Sequence, residues 1–418
     1  MSTVRVLIVD DALVSRYLLA EDIASDPRVE VVGTAADGLI ALAKISYLDP
    51  DVVILDVEMP AQNGLTALAE IRSVNASVPI IMYCARTSAG STATVEALML
   101  GATDFVAKAT TKQSSRDIVH NELIPKIKSL CRRNWREVTG TTGKTNLGGL
   151  AATTGKTSPP GMTATTGKTS LTNLTATTGK TSLNSVLKEV RPGPETIANA
   201  LRRLNGKVEI VTIGVSTGGP NALASFLPCL DMEFPVPIVI VQHMPQIFTA
   251  LLAIRLSAVS GFQVREGKSG DLLRPGEIYL APGGYHMEVR KCYDGVYLHT
   301  HEGPMENSCR PAADVLFRSV AKTYGPAALA VVLTGMGFDG LRGSACIREA
   351  GGSVIVQDEA SSVVWGMPGA VSRAGLADKV LPLDKMADEI NRRVTGAAVG
   401  PLRQMSTRLA SSAPLLKN

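Results

Sequence analysis

The sequence predicts an α/β protein built as two units joined by a low-complexity linker. Three observations predict it. Strand-like apolar runs alternate with helix-periodic segments over residues 4–130, and again over 208–394. Between these stretches the composition collapses to Thr, Gly, Ser, Ala and Lys. At 418 residues the chain is also long for a single core.

In the first unit, assigned to residues 1–130, strands are expected at 4–10, 29–34, 52–56, 80–84 and 105–107. They are runs of Val, Ile and Leu, punctuated at their ends by Gly, Pro or Asp. Segments with apolar residues at helical spacing lie between them. Five strands alternating with helices make a flavodoxin-like parallel sheet.

The linker is assigned to 131–205. It repeats Thr-Thr-Gly-Lys-Thr from Thr141, Thr153, Thr165 and Thr177, a spacing of twelve. Such a segment buries too little apolar surface to offset its ordering entropy, so disorder is expected. Each copy contains Gly-Lys-Thr, a fragment of a phosphate-binding loop. None has glycine five positions earlier, and no strand precedes any of them.

The second unit, 206–396, is read as a doubly wound α/β domain. Strands are expected at 208–213, 238–242, 328–333 and 353–357, and helices at 220–228, 247–257, 311–322, 339–350 and 385–394. Short alternating runs between Gly261 and His301, broken by Pro275-Gly276 and Pro282-Gly283-Gly284, read as β-hairpins on a sheet edge. Residues 397–418 read as a tail.

Composition excludes several classes. Apolar residues are 45% and aromatics 4%, as in a Val/Ile/Leu/Ala-packed α/β protein. A net charge of +4 is too mild to argue for nucleic acid, and the C-terminal unit has no basic stripe. The six cysteines are scattered without a Cys-x-x-Cys pair, which favours a reducing compartment over a zinc or disulfide framework. No basic stretch followed by an apolar run opens the chain, and no apolar run is long enough to span a bilayer. The expectation is a cytoplasmic protein that is not membrane-inserted.

In the first unit Asp10-Asp11 ends strand one, Asp56 ends strand three and Lys108 follows strand five. In a parallel sheet these ends converge. Carboxylates gathered there suit Mg²⁺, and a carboxylate can itself accept a phosphoryl group. Lys108 would neutralise the transferred oxygens. A single Asp at a strand end is usually just a cap or loop residue. An Asp-Asp pair, Asp56-Val57-Glu58-Met59-Pro60 and a matching lysine together are harder to explain that way.

These residues resemble response-regulator receiver domains over about 4–130. The resemblance implies that Asp56 is the phosphoacceptor and that Asp10, Asp11, Asp56 and the backbone carbonyl of Glu58 hold Mg²⁺. It implies Lys108 as the phosphate contact and a histidine kinase as phosphodonor. Two positions depart from the family: Cys84 stands where Ser or Thr is usual, and Ala109 follows Lys108 where Pro is usual. A thiol is the weaker donor, so coupling of the switch should be looser.

In the second unit three turns each follow an apolar run: Gly214-Val215-Ser216-Thr217-Gly218, Gln242-His243-Met244-Pro245 and Thr334-Gly335-Met336-Gly337-Phe338-Asp339-Gly340. Each places Ser216, His243 or Asp339 at the carboxyl edge of a parallel sheet, where such sheets build their sites. Together they form a nucleophile, base and orienter set. The Ser…His…Asp chain order differs from those of α/β-hydrolases, chymotrypsin-like and subtilisin-like enzymes.

With Ala281-Pro282-Gly283, Arg310-Pro311-x-x-Asp314-Val315-Leu316-Phe317 and Gly366-Met367-Pro368, these turns resemble the catalytic domain of chemotaxis protein-glutamate methylesterases over about 208–394. The resemblance implies hydrolysis of glutamyl γ-methyl esters, and deamidation of certain glutamines, on chemoreceptors, with no cofactor for the ester chemistry. It implies Met336 N–H as an oxyanion donor. Thr217 is expected to support His243 through its hydroxyl, and Arg310 to be structural or groove-lining.

Two other patterns compete. Gly335-x-Gly337-x-x-Gly340, with Asp358 about twenty residues on, matches a dinucleotide fingerprint. His299 and His301 share a strand face and could bind a metal, but lack a third ligand nearby.

Overall fold

A computed structural model describes residues 3–59, 63–85, 87–108, 112–131, 183–190 and 207–396. In the N-terminal unit, β1 (Val4–Val9), β2 (Val29–Ala35), β3 (Val52–Asp56), β4 (Ile80–Cys84) and β5 (Asp104–Ala107) form one parallel sheet in the order β2-β1-β3-β4-β5. Helices α1 (Leu13–Ala24), α2 (Gly38–Leu48), α3 (Gly64–Val74) and α4 (Ser88–Met99) connect the strands. After β5 come α5 (Lys112–Ile118), a π-helical turn (Val119–Leu123) and α6 (Ile124–Leu130). The central strands are apolar on both faces and buried throughout, as a covered parallel sheet requires. Register pairs Val9 with Leu55 and Asp56 with Tyr83, which levels the strand ends carrying Asp10 and Asp56.

The repeats fall outside the described residues. Within the segment read as linker, however, Leu183–Glu189 forms a helix, α7. Val186 of α7 is fully buried, and Leu183, Leu187 and Val190 pack with it against the C-terminal unit's core. Residues 183–190 of the assigned linker are therefore structured. The apolar ones, spaced three or four apart, find a partner that composition alone does not reveal.

The C-terminal sheet has seven parallel strands in the order β14-β13-β12-β6-β7-β9-β8. They are β6 (Ile210–Val215), β7 (Ile238–Gln242), β8 (Gln263–Glu266), β9 (Glu277–Leu280), β12 (Ala328–Val332), β13 (Ser353–Gln357) and β14 (Lys379–Leu381). The hairpin expectation for 261–301 holds only in part. β8 and β9 extend the parallel sheet, while β10 (His286–Lys291) and β11 (Val296–His301) form a separate antiparallel pair. Alternation marks a half-buried strand but does not say which neighbour it chooses. The helices are α8 (Gly219–Phe226), α9 (Phe248–Ser260), α10 (Ala313–Tyr324), α11 (Leu341–Glu349), α12 (Met367–Arg373) and α13 (Leu383–Thr395).

The two units meet along α4 and β5 on one side and α8 and α9 on the other. One continuous apolar cluster runs through both, from Val95, Ala102 and Phe105 to Leu223, Phe248 and Leu252. The Phe105 and Phe248 rings lie 4.6 Å apart at a 32° tilt. Asn221 donates from Nδ2 to the Ala102 carbonyl at 2.8 Å. Arg255 and Glu96 face each other at 3.7 Å across the exposed rim. Val364, two residues from Ser362, joins the N-terminal unit's core, and Val363 packs beside it.

Candidate active site

Strand register sets the catalytic edge. Gly214 pairs with Val332 and Val215 with Gln242, so the three turns leave the sheet side by side. The first is tightly tied down. Ser216 N donates to Thr334 O at 3.0 Å, and the Ser216 carbonyl accepts from Gly219 N at 2.8 Å and Gln242 Nε2 at 3.0 Å. Gly218, at φ 77°, then starts α8 in a conformation that favours glycine. Gly335 is required as well: a Cβ there would sit 2.8 Å from Ser216 Cβ and 2.5 Å from Met367 Sδ.

His243 follows β7 directly, and its Nε2 lies 2.7 Å from Asp339 Oδ2. Asp339 is 2% exposed. It accepts from the first backbone N–H groups of α10, Ala313 N to Oδ2 at 2.5 Å and Asp314 N to Oδ1 at 3.0 Å. Asn307 Nδ2 donates to Asp339 Oδ1 at 2.9 Å, and also to Asp314 Oδ2 at 2.9 Å. Burial alone would favour the neutral acid. His243 and these N–H donors outweigh it and hold Asp339 below the usual carboxylate range. The neighbouring Asp314 goes the other way, pushed up to about 7 by burial and by the Asp339 charge.

The imidazole is itself held well above its ordinary range: burial opposes the charge, but Cys309 and Asp339 overcome it. Cys309 Sγ lies 3.6 Å from Nδ1, the ring nitrogen that Asp339 leaves free. Ser216 Oγ has no hydrogen-bond partner among the described residues, so the expected serine–histidine contact is not made in this state.

Thr217 does not take the place expected of it. It is 3% exposed, and its carbonyl accepts from Thr334 Oγ1 at 3.0 Å. One step beyond Ser216 in the turn, it points inward, and no hydrogen bond joins it to His243 among the described residues. Met336 is 37% exposed on the loop after β12, and among the described residues its N–H has no acceptor, as an oxyanion donor must. Arg310 Nη1 is spent on the carbonyls of Glu302 and Gly303, which supports a structural role. No sequence pattern singles out Asn307 or Cys309. They arrive on a loop with left-handed Asn307 (φ 52°) and Ser308 (φ 63°), and no apolar period marks such a loop. Ile247, at φ 81°, is a second strained position, between His243 and the start of α9.

The dinucleotide alternative loses its geometry. A Cβ on Gly366 would lie 2.7 Å from Gly335 O and 2.9 Å from Gly337 N, so protein backbone fills the space a pyrophosphate would need. Asp358 Oδ1 is engaged by Ser361, through N and Oγ. His301 accepts from Gly303 N at Nδ1 and stacks on His299.

At the other unit's sheet edge, Asp10, Asp11 and Asp56 each offer a carboxylate oxygen within 4.8 Å of the others. Lys108 Nζ lies 2.7 Å from Asp56 Oδ2 and 3.7 Å from Asp10 Oδ2. Burial, only partly offset by Lys108 and worsened by Asp10, pushes Asp56 up to about 6. Crowded carboxylates with one ammonium are a donor set that a divalent cation relieves, so the residues fit the group expected from sequence. Glu58 is exposed just past β3, and its N–H donates to Asp56 Oδ1 at 3.3 Å. Cys84 is fully buried, its thiol pointing to Val106 O at 3.7 Å and pushed up to about 11 by burial. Ala109 lies outside the described residues.

A unit whose sheet edge gathers three carboxylates and a lysine, joined through α4 and β5 to a unit whose sheet edge bears Ser, His and Asp, defines a class: a response regulator whose output domain is a hydrolase. Family comparison agrees, with "Response regulator receiver domain" matching residues 6–120 and "CheB methylesterase" matching 211–390. A protein-glutamate methylesterase/protein-glutamine glutaminase from Trichodesmium erythraeum is 44% identical over 397 residues, covering 94% of this chain and 100% of that one. One of the same name from Nocardioides sp. is 42% identical, covering 94% and 96%. The chain belongs to the CheB methylesterase family. Among solved structures, the Thermotoga maritima CheB methylesterase catalytic domain is 40% identical, covering 44% of this chain and 98% of that one, with a TM-score of 0.44. Among the described residues no helix is long and apolar enough to cross a membrane.

Proposed function

We propose that this chain hydrolyses glutamyl γ-methyl esters, and deamidates specific glutamines, on chemoreceptors, under the control of phosphoryl transfer to Asp56. The observation that carries the reading is the 2.7 Å pair of His243 Nε2 and Asp339 Oδ2, formed at the sheet edge that presents Ser216.

The chemistry follows from the atoms. With Nε2–H donated to Asp339, Nδ1 is the basic nitrogen. Ser216 Oγ attacks the side-chain carbonyl while its proton passes to Nδ1. The carbonyl electrons move onto oxygen, where Met336 N–H stabilises them; such a donor is typically worth ~10²–10³ in turnover. The tetrahedral adduct collapses, Nδ1–H protonates the departing methoxide oxygen or amide nitrogen to give methanol or ammonia, and water repeats the sequence to free the carboxylate. Asp339 fixes the tautomer and stabilises the imidazolium throughout.

In the receiver, an Asp56 carboxylate oxygen attacks the phosphorus of a phosphohistidine on a histidine kinase, forming the O–P bond as the P–N bond breaks and the kinase's imidazole leaves. Asp10, Asp11, Asp56 and the Glu58 carbonyl would hold Mg²⁺, which when bound supplies positive charge against the phosphoryl oxygens. Lys108 would then exchange the Asp56 carboxylate for the phosphoryl group. Lys108 N donates to Cys84 O at 2.6 Å, and three residues upstream lies Phe105, whose ring packs at a tilt against Phe248. This route leads from phosphorylation to the docked face and supports relief of inhibition by undocking.

The test is methanol release from methyl-labelled receptor membranes, for the parent and Ser216→Ala, with and without a small phosphodonor and Mg²⁺. Release that needs Ser216 and rises with phosphodonor is expected. Ser216-dependent release indifferent to phosphodonor overturns the control, and release that survives Ser216→Ala overturns the mechanism.

A further inference from the structure

The His243 ring is engaged on both sides. Nε2 faces Asp339 Oδ2, and Nδ1 faces Cys309 Sγ at 3.6 Å, within reach of a hydrogen bond to sulfur. Cys309 therefore stands on the one nitrogen that can take the Ser216 proton.

The fold holds the thiol there by several independent constraints. Cys309 closes a tight turn: Glu306 N donates to Cys309 O at 3.1 Å, and Cys309 N to Glu306 O at 2.8 Å. Asn307 and Ser308, at its centre, both have positive φ, the pattern of a type I′ turn. Non-glycine residues hold that conformation only where their surroundings over-determine it. Here Asn307 is pinned to Asp314 and Asp339, and Glu306 is gripped by both terminal nitrogens of Arg318, at 2.7 and 2.6 Å. Cys309 itself is half-buried.

Resting on the assignment of Ser216, His243 and Asp339 made above, we propose that Cys309 is a positioning residue of the esterase reaction. It binds the basic nitrogen of His243 in the resting site and shares its proton, so that the histidine becomes a base only when substrate and Ser216 displace the thiol. The step balances within the pair. The S–H bond breaks, sulfur keeps the electron pair, and the proton forms an N–H bond at Nδ1, giving thiolate and imidazolium. Reversal restores both neutral groups, with no oxidant or other co-reactant.

The charges facing the ring fix the sign of the effect. Asp339 lies at Nε2 and Cys309 at Nδ1. Asp314 stands behind Asp339, bridged to it by Asn307, and Glu306 is already paired with Arg318. Burial opposes charging the ring, and the raised imidazole is the work of Cys309 together with Asp339. Taking away the thiol leaves Asp339 in place and removes one of the two groups that raise the imidazole. The basic form then persists to lower pH.

The experiment measures kcat/KM for methyl release against pH, using the full chain with phosphodonor and Mg²⁺. The parent, Cys309→Ser and Cys309→Ala are compared, with Ser216→Ala as control. Serine keeps the size and puts a hydroxyl in place of the sulfur, which separates the thiol's contact with Nδ1 from its volume. The expected result is an acid limb about one pH unit lower in both variants, roughly tenfold more activity at a fixed pH on that limb. Limbs that superimpose on the parent while rates fall evenly overturn the proposal and leave a packing role. A second readout needs no turnover: the NMR titration of the His243 ring protons, with the midpoint expected to fall on adding Cys309→Ser to Ser216→Ala. An unchanged midpoint overturns the proposal even if the esterase assignment stands. Release that survives Ser216→Ala but is lost in Cys309→Ala overturns both, assigning the nucleophile to the thiol.

Discussion

Replacing Asn221 by alanine tests whether docking of the receiver restrains the esterase. The side chain makes one contact across the interface, Nδ2 to Ala102 O at 2.8 Å, and Ala102 is itself fully buried. A neutral hydrogen bond contributes a net ~1 kcal/mol, and a carbonyl left buried without a partner adds about 1 kcal/mol or more. Undocking returns that carbonyl to water, so the whole loss, about 1–2 kcal/mol, falls on the docked state. At 1.4 kcal/mol per factor of ten, the docking equilibrium weakens roughly 5–30-fold. If the docked form dominates, methanol release without phosphodonor rises by that factor, with the phosphorylated parent's level as its ceiling. With phosphodonor and Mg²⁺ the two proteins converge. A fragment of residues 183–396 keeps α7 on its core and carries no receiver, so the substitution leaves its activity unchanged. Unaltered basal release in the full chain, or an equal change in the fragment, would refute the reasoning.

Other perturbations probe the site and the scaffold. Asn307→Ala strips a donor from two buried carboxylates at once; thermal unfolding is expected to show a loss of ~2–4 kcal/mol, with kcat/KM falling at least tenfold. Gly335→Ala drives a Cβ to 2.8 Å from Ser216 Cβ and 2.5 Å from the Sδ of buried Met367; kcat is expected to drop by about tenfold or more and thermal unfolding to show a loss of about 1–3 kcal/mol, and an unchanged kcat would show that the turn yields. Glu389 is held to about 2: burial opposes its charge, but Arg392, Lys379 and Arg393 outweigh it. Its folded value is depressed, so its stabilisation is complete above the ordinary value of 4.5 and fades as pH falls toward 2. Denaturant unfolding of Glu389→Gln should show a deficit at pH 7 that closes over that window, and a deficit independent of pH would rule out this charge network as its cause.

Much of this was legible where sequence pattern and physics coincide. β3, β4, β7 and β13 span the residues expected of them, each built on an unbroken apolar run of three or more, because a strand covered on both faces needs one. Parallel strands level their ends, so acids and a lysine placed after them had to converge. β14, three residues long and mostly exposed at a sheet edge, has no such signature. α12 opens on Met-Pro-Gly, which reads as a turn. The parallel seating of β8 and β9 is a choice of neighbour that alternation does not encode. Around His243, the orienting acid could be named from its turn. Its supporting donors could not: two are backbone N–H groups of α10 and the third is Asn307, and only tertiary structure brings them to Asp339.

The apolar cluster that passes without a break from Val95 and Phe105 to Phe248 and Leu252 has a calorimetric consequence. Two units that share a core do not melt independently, so the unphosphorylated chain should unfold in one cooperative transition. Parting the units wets that surface. The phosphorylated chain should then resolve into two transitions, and activation itself should carry a positive heat-capacity change. On this view the resting protein is one folding unit and the active protein is two.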